Sequence, residues 1–549
     1  MSYAVDKAST SSDIGKGANA AAFTLDEKRR AALAEVDSAK FSMFHLRVCM
    51  VAGVGFFTDA YDIFAINIAS VMLGYVYGKG GKLSANQDLG VKVATPIGNL
   101  IGQTLFGWLA DVLGRKRMYG VELMIIIVAT FGQAVSGHAH AVNIIGVLIV
   151  WRGIMGIGIG GDYPLSAIIS SEFSSVHIRG RLMTAVFANQ GWGQFSAALI
   201  AFIIVHGYKS SIVNNTSSDY PEIDQMWRIL IGLGIVPAVV ALYFRLTIPE
   251  TPRFTMDIER NVHQAAQDVD NFLTTGTYYK DPDQAVELVR APKASWADFK
   301  NYLGKWQNSK VLIGTAYSWF ALDIAFYGLG LNSSIILNAI GFGSPSPTLT
   351  GGLKVFTNLN NICIGNMILS VAGLIPGYWM TFLFIDSWGR KPIQLMGFTV
   401  LTILFCCMGF GYKKLIATAA ASKAFVFLYC LTNFFQNFGP NTTTFIVPGE
   451  AFPTRYRSTC HGFSAAAGKL GAVVAQVGFA RLKDIGGATG SSAFVGHILE
   501  IFAFFMMTGI FSTLLIPETK GRTLEDLSNE DQDGFIKGTA TVPRESPPA

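Results

Sequence analysis

Asp59 and Asp62 stand three residues apart in the apolar stretch 48–73, so a helix would place both carboxyls on one face. Two carboxylates held together away from water raise each other's proton affinity, which suits a site that takes up and releases protons. The alternative is that both merely polarise a wet cavity. A third acid, Asp162, ends a run of small residues (Gly153, Gly156, Gly158, Gly160, Gly161) that would let a neighbouring helix approach closely. Trp319, Asp323 and Tyr327 recur at every fourth position and form one stripe of a helix. Aromatic stripes alone are ordinary packing. A carboxyl between the rings argues for a polar interior, because an acid facing lipid is costly. Lys469 and Arg152 are basic residues in similarly apolar surroundings. They would supply the positive charge that buried acids and an anionic ligand require. Lys469 fits a switch that holds an aspartate when the site is empty and turns to the ligand when it fills. Arg152 fits equally well a packing partner for Glu172 or another acid.

The elements that carry these residues follow from composition. The chain has 549 residues, of which 51% are hydrophobic and only 14% charged. A soluble protein carries about 25% charged residues, so there is too little charge here to clothe several soluble cores. Apolar runs such as Met124–Val135, Ile144–Trp151 and Phe502–Ile516 lie inside segments of about 20 residues, the length that crosses a bilayer. Spans are expected near 48–73, 93–113, 118–137, 141–172, 182–207, 227–247, 310–341, 355–385, 393–412, 420–450, 459–482 and 494–516. This is an all-α membrane protein of twelve transmembrane helices in two six-helix bundles. Its expected divisions are a tail at 1–44, a bundle at 45–248, a polar loop at 249–308 with Pro282 and Pro292, a second bundle at 309–517 and a tail at 518–549. The polar stretches Ser9–Ser12 and Asp526–Ala549 are expected to be disordered. The six cysteines, Cys49, Cys363, Cys406, Cys407, Cys430 and Cys460, lack metal-binding spacing and are read as small buried hydrophobes. The net charge of +5 is too small to suggest a nucleic-acid partner.

An internal repeat supports the division into halves. Asp111-Val-Leu-Gly114-Arg115-Lys116-Arg117 follows the second span, and Asp386-Ser-Trp-Gly389-Arg390-Lys391 follows the eighth. These basic loops, with Arg179, Arg181, Arg455 and Arg457, fall on one side. The positive-inside rule makes that side cytoplasmic, with both termini there. Asn214-Asn215-Thr216-Ser217 offers overlapping glycosylation acceptors on the other side. The polar residues up to Lys40 lack an early apolar core, so a signal peptide is not expected. A Walker-type phosphate loop, a catalytic triad and a zinc cluster are all missing, so neither an enzyme nor a cofactor is expected.

The repeat resembles the loop motif of the major facilitator superfamily. Pro249-Glu250-Thr251-Pro252-Arg253 and Pro517-Glu518-Thr519-Lys520-Gly521-Arg522 look like motifs of its sugar-porter-like branch. More narrowly, Gly160-Gly161-Asp162-Tyr163-Pro164-Leu165-Ser166 resembles the signature of the fungal and plant phosphate:proton symporters. Asn437-Phe-Gly-Pro-Asn441-Thr-Thr-Thr, Glu450-Ala-Phe-Pro-Thr-Arg455, Cys460-His461-Gly462 and Gly468-Lys469-Leu470-Gly471 are similar to the same family. The likeness implies phosphate contacts from Tyr163, Gln190, Trp319, Asp323, Tyr327 and an asparagine of the tenth span. Asn441 is the first choice there, with Asn437 and Asn433 as rivals. It implies proton-relay roles for Asp59, Asp62 and Asp162, protons as the coupling ion, and residence in the plasma membrane. An acid beside an anion is sensible if it accepts from the hydroxyls of monobasic phosphate, which sulfate lacks; Asp323 would then exclude sulfate. Competing readings are a proton-coupled carrier of another solute, such as a glycerophosphodiester or a sugar, and a receptor that senses phosphate and transports little.

Overall fold

The computed structural model describes residues 25–138, 142–215, 220–246, 250–258, 294–341, 345–346, 348–488 and 491–530. Pro249, Thr216, Ser217, Pro282, Pro292 and Ser9–Ser12 lie outside them. Twelve helical passages carry the described chain. They are α1 Met43–Tyr77, α2 Ala85–Leu113, α3 Arg115–Ala134, α4 Ile144–Glu172, α5 Arg179–Gly207, α6 Pro221–Arg245, α7 Trp306–Gly330, α8 Gly351–Trp388, α9 Arg390–Phe410, α10 Ala419–Asn437 continuing as Pro440–Glu450, α11 Arg457–Leu482 and α12 Val495–Leu514. Among the described residues, nine of these are long and apolar enough by themselves to cross a membrane. The other three, α2, α5 and α10, fall short because they carry buried amides: Asn99 and Gln103, Gln190 and Gln194, and Asn433, Gln436, Asn437 and Asn441. The outward faces are apolar. Val121, Met124, Val128, Phe131 and Val135 recur at helical spacing along α3 and all are exposed. Such a belt is stable only against lipid.

Helices α1–α6 pack on one another, as do α7–α12, and the two groups meet mainly along α2 with α11 and along α5 with α8. The glycines of α4 serve close approach to α2: a Cβ at Gly160 would lie 2.5 Å from the Asn99 carbonyl oxygen. Three passages break where a single span was expected. The run 310–341 divides into α7 and a separate short helix, Ser333–Ala339. Helix α8 contains a π-helical turn, Ser370–Leu374, just before Pro376, whose missing N–H cannot close an ordinary turn. Helix α10 interrupts at Phe438 and Gly439 and restarts at Pro440, a residue suited to the first turn of a helix. Cys407 is exposed on the outer surface, while Cys363, Cys430 and Cys460 are buried; all six cysteines are free.

The repeated loop has a specific architecture. Gly114 and Gly389 adopt φ of 101° and 105°, in the region that favours glycine, and each lets a carboxylate reach the following helix start. Glu250 accepts from the Lys116 amide at 3.1 Å, and Glu518 accepts from the amides of Arg390 at 3.1 Å and Lys391 at 2.9 Å. The two sugar-porter-like motifs thus cap α3 and α9 with acid, where free amides and the helix dipole favour negative charge.

The tails are partly structured on this same basic face. Helix Leu25–Ser38 buries Ala32, Leu33 and Val36 against Met256, and its Arg29 pairs with Asp257 at 2.6 Å. Asp37 pairs with Arg253 at 3.1 Å and with Arg179 at 3.2 Å. The expectation of disorder from Asp526 onward is corrected for the first residues: Asp526 lies in the short helix Leu524–Leu527, and Glu530 pairs with Arg455 at 2.5 Å. Charge explains the order, because guanidinium groups buried at this face must be matched by acids.

Glu525, outside the spans, pairs with Arg253 at 2.8 Å. Burial raises its pKa, but the Arg253 guanidinium prevails and lowers it from 4.5 to about 2. Its stabilising contribution is therefore complete above 4.5 and lost as the pH falls toward about 2. Glu525→Gln is expected to destabilise the protein by about 3 kcal/mol at neutral pH, measured by thermal unfolding in detergent. The difference from wild type should narrow below pH 4.5; a gap constant with pH would contradict the pairing.

Candidate functional site

Between the two groups of helices lies a buried polar cluster, called the chamber below, whose side chains bond one another. Lys469 of α11 donates to Asp323 Oδ2 of α7 at 2.8 Å, and both side chains are 1% exposed. The ammonium also stands 4.4 Å from the Tyr327 ring centroid and 4.8 Å from that of Tyr163. Ring faces carry negative potential, so the two tyrosines supplement the carboxylate around a cation that has left water. Trp319 forms the floor one turn before Asp323, its ring 6.3 Å from Tyr163 and edge-on to His461 at 5.5 Å. Gly468 makes this possible: a Cβ there would lie 2.6 Å from Trp319 Cδ1.

A chain of hydrogen bonds completes the chamber. Gln190 Nε2 donates to the Tyr163 hydroxyl at 2.8 Å, and Asn441 Nδ2 donates to the Tyr378 hydroxyl at 2.9 Å and to Asn437 Oδ1 at 2.7 Å. The structure thus brings together Tyr163, Gln190, Trp319, Asp323, Tyr327, Asn441 and Lys469. Of the rivals in α10, Asn437 supports Asn441 and donates to the Asn433 carbonyl at 2.7 Å. Pro164, which follows Tyr163, removes the N–H that would bond the Gly160 carbonyl, so the α4 backbone is already interrupted at the site.

The acids of the first group of helices are arranged differently from the expected pair. Asp59 and Asp62 share a face but diverge across it, because a spacing of three leaves them about 60° apart around the axis. Asp59 lies within electrostatic reach of Asp162 and Arg245, and among the described residues neither of its oxygens has a hydrogen-bond donor. Asp162 accepts from Arg245 at 2.6 Å and from the Ser166 hydroxyl at 2.5 Å; Arg245 also binds Glu122 at 2.5 Å. Asp62 turns toward α3 instead and accepts from Thr130 at 3.3 Å. Arg152 is held by the Val91 carbonyl at 2.9 Å and by Gln133 at 3.4 Å. It does not meet Glu172, which binds Arg457 at 2.8 Å on the basic face.

Both ends of the chamber are shut. On the basic face Asp111 accepts from the Thr459 amide at 2.7 Å and hydroxyl at 2.8 Å, Asp386 accepts from the Arg181 amide at 3.0 Å, and Arg115 donates to the Thr454 carbonyl at 2.7 Å. Each bond joins one group of helices to the other. At the far end Asn67 bonds Ser333 and, at 3.2 Å, Asn366, while Ser334 donates to Asn67 at 3.0 Å. Phe64 stacks on Tyr327 beneath them at 6.0 Å. Bonds therefore tie the two groups of helices together on both sides of the site.

Sequence reasoning missed three participants. Arg245 ends α6, where charged side chains usually reach water, and Glu122 lies two turns into α3 just past the basic loop; only packing reveals that the two are fully buried and paired. Tyr378 lies beyond the π-helical turn, which adds a residue and rotates the remainder of α8 by about 100°. A regular helical period drawn through 355–385 therefore gives no signal for it.

A family profile described as "Sugar (and other) transporter" matches residues 48–530. The "Repressible high-affinity phosphate permease" of Neurospora crassa is 49% identical over 92% of this chain and 90% of its own. The "Inorganic phosphate transporter PHO84" of Saccharomyces cerevisiae is 48% identical over 93% and 89%, and "Inorganic phosphate transporter 1-1" of Arabidopsis thaliana is 37% identical over 92% and 98%. The chain belongs to this sugar (and other) transporter family, in the group that holds these permeases. It is a membrane transporter and not an enzyme. Among solved structures, that of the major facilitator superfamily proton:xylose symporter XylE bound to 6-bromo-6-deoxy-D-glucose matches with a TM-score of 0.63 at 20% identity, over 88% of this chain and 98% of its own. The transporter thus has the major facilitator fold.

The central ion pair of this transporter makes a clear prediction. Lys469→Met should destabilise it by about 3 kcal/mol, because Asp323 is left buried and unmatched. Adding Asp323→Asn should recover most of that loss. Unfolding midpoints of the single and double variants check this; equal losses in both would mean that the pair is not coupled.

Proposed function

We propose that this transporter imports inorganic phosphate with protons across the plasma membrane by alternating access. The basic face and both termini are then cytoplasmic, and residues 45–248 and 309–517 form the two rocking bundles. The observation that carries the reading is the chamber itself: one buried cation, Lys469, already compensated by Asp323 and ringed by hydroxyl and amide donors. The phosphate transporters to which the chain is similar along most of its length support the same substrate.

The chemistry follows from these groups. Monobasic phosphate entering between Tyr163, Gln190, Trp319, Tyr327 and Asn441 takes the Lys469 ammonium from Asp323, giving a charge-assisted bond stronger than a neutral one. Asp323 then accepts a hydrogen bond from a phosphate hydroxyl. Sulfate, fully deprotonated, offers none and meets a bare carboxylate. Protons travel on the aspartates. A proton on Asp59 supplies the donor its oxygens lack and bonds Asp162, while Arg245 holds the remaining charge of Asp162 and Glu122. Asp62, bonded to Thr130, is a second site on the outward path, and Arg152 offsets its charge. Carrying one negative charge into an inside-negative cell costs about 2.3 kcal/mol per 100 mV. One proton cancels that charge, and a second turns the potential to advantage.

The test is labelled-phosphate uptake into liposomes holding the purified protein, with and without an inward proton gradient. Gradient-stimulated uptake is expected, unaffected by excess sulfate or glucose. Asp323→Asn should reduce uptake by about a hundredfold, the scale of a lost charged contact. Uptake indifferent to the gradient would remove proton coupling, and competition by sulfate would remove the role given to Asp323.

A further inference from the structure

Tyr378 stands outside the D-x-x-G-R-K core of the repeat, and it is one of the points at which the two bundles meet inside the chamber. It is fully buried on α8, and its hydroxyl lies within electrostatic reach of Tyr163, Tyr327 and Asp323. The ring is seated with precision. It packs edge-on to Phe187 of α5 at 5.9 Å, and α5 offers it Gly191, where a Cβ would stand 3.2 Å from Tyr378 Cδ2. The π-helical turn immediately upstream is what aims it inward, and such turns are frequent at functional sites.

The hydrogen bonds have a fixed direction. Asn441 spends its amide hydrogens on the Tyr378 hydroxyl and Asn437, so the phenolic proton does not go to Asn441. It goes to Gln190 Oε1 at 3.3 Å, and Gln190 in turn donates to Tyr163 at 2.8 Å. The relay therefore runs from Asn441 through Tyr378 and Gln190 to Tyr163, from one bundle into the other. Its weakest link is the donor of Tyr378: 3.3 Å to a neutral oxygen, where its neighbours lie at 2.8 Å and 2.9 Å. A buried phenol keeps some partner, but a neutral bond that long is readily exchanged for a shorter bond to an anion.

We propose that Tyr378 is a substrate-contacting residue, donating its hydroxyl proton to an oxygen of the bound oxyanion and, in the empty site, lending that proton to Gln190 as a tie between bundles. Loading then does two things with one hydrogen bond. It gains a charge-assisted contact on α8, and it cuts the Tyr378–Gln190 link between α5 and α8. This inference rests on the phosphate reading above and adds to it a contact from a helix that supplied none.

Tyr378→Phe tests it, since the ring and its seat remain and only the hydroxyl is lost. The wild type and the variant are reconstituted side by side, and uptake is measured against inorganic phosphate concentration under one proton gradient. KM should rise about tenfold, the size of one hydrogen bond to a charged group, with Vmax within about twofold. Thermal unfolding in detergent, with and without phosphate, reports folding and binding on the same samples. The variant should unfold near the wild-type temperature without phosphate and lose most of the protection that phosphate gives the wild type. A lowered Vmax or a lowered midpoint with unchanged KM and unchanged protection would make Tyr378 structural and overturn the proposal. Absence of phosphate uptake and protection in the wild type would sink the phosphate reading itself.

Discussion

A charge withdrawn from water into a bilayer must be matched, and most of this structure is an answer to that constraint. Lys469 has Asp323 and two ring faces, Arg245 has Asp162 and Glu122, Arg390 has Glu450 at 2.8 Å, and Arg457 has Glu172 at 2.8 Å. The ion pairs buried in this way stabilise little against apolar side chains of equal size, but any one of them is expensive to break halfway. That asymmetry suits a carrier. The pairs cannot simply dissolve; they can only be exchanged for other pairs. Asp59 shows the same logic from the other side, a carboxyl beside another carboxyl with no donor among the described residues.

The same constraint explains why the repeated loop is so specific. Its aspartates, Asp111 and Asp386, each accept backbone amides from the opposite bundle, while its arginines, Arg115 and Arg390, reach acids at the ends of α4 and α10. Its glycines bring Glu250 and Glu518 onto the helix starts just beyond them. The basic face is thereby closed by a set of individually modest, nearly symmetric bonds across the interface. A set of that kind depends on one interface, so its members form or separate together. Helix Leu25–Ser38 and the segment around Glu525 converge on Arg253 at the rim of this closure.

Irregular backbone concentrates where polar side chains must be aimed. The π-helical turn of α8, Pro164 in α4 and the break before Pro440 in α10 lie next to Tyr378, Tyr163 and Asn441. Inside a membrane such departures survive only where protein covers the freed backbone groups, and all three lie at the buried centre. The breaks re-aim three helices at one point that straight helices would pass by.

Many membrane crossings, two related halves, and interior places for Asp59, Asp162, Trp319, Asp323, Tyr327 and Lys469 are all legible from the residues alone. Long apolar runs, a recurring D-x-x-G-R-K and charges within them are local features, and the cost of charge in lipid makes them legible residue by residue. Which charge answers which is set by the packing of the folded chain. Lys469 meets Asp323 across 146 positions, Arg245 meets Asp162 across 83, and Tyr378 meets Gln190 across 188. No periodicity encodes those distances. They depend on how twelve helices cross, on glycines that set the spacing of α2 and α4, and on one extra residue in a turn of α8. Pairing energy falls steeply with separation, so a partner is defined by packing to within an ångström, a precision that exists only once the chain has folded.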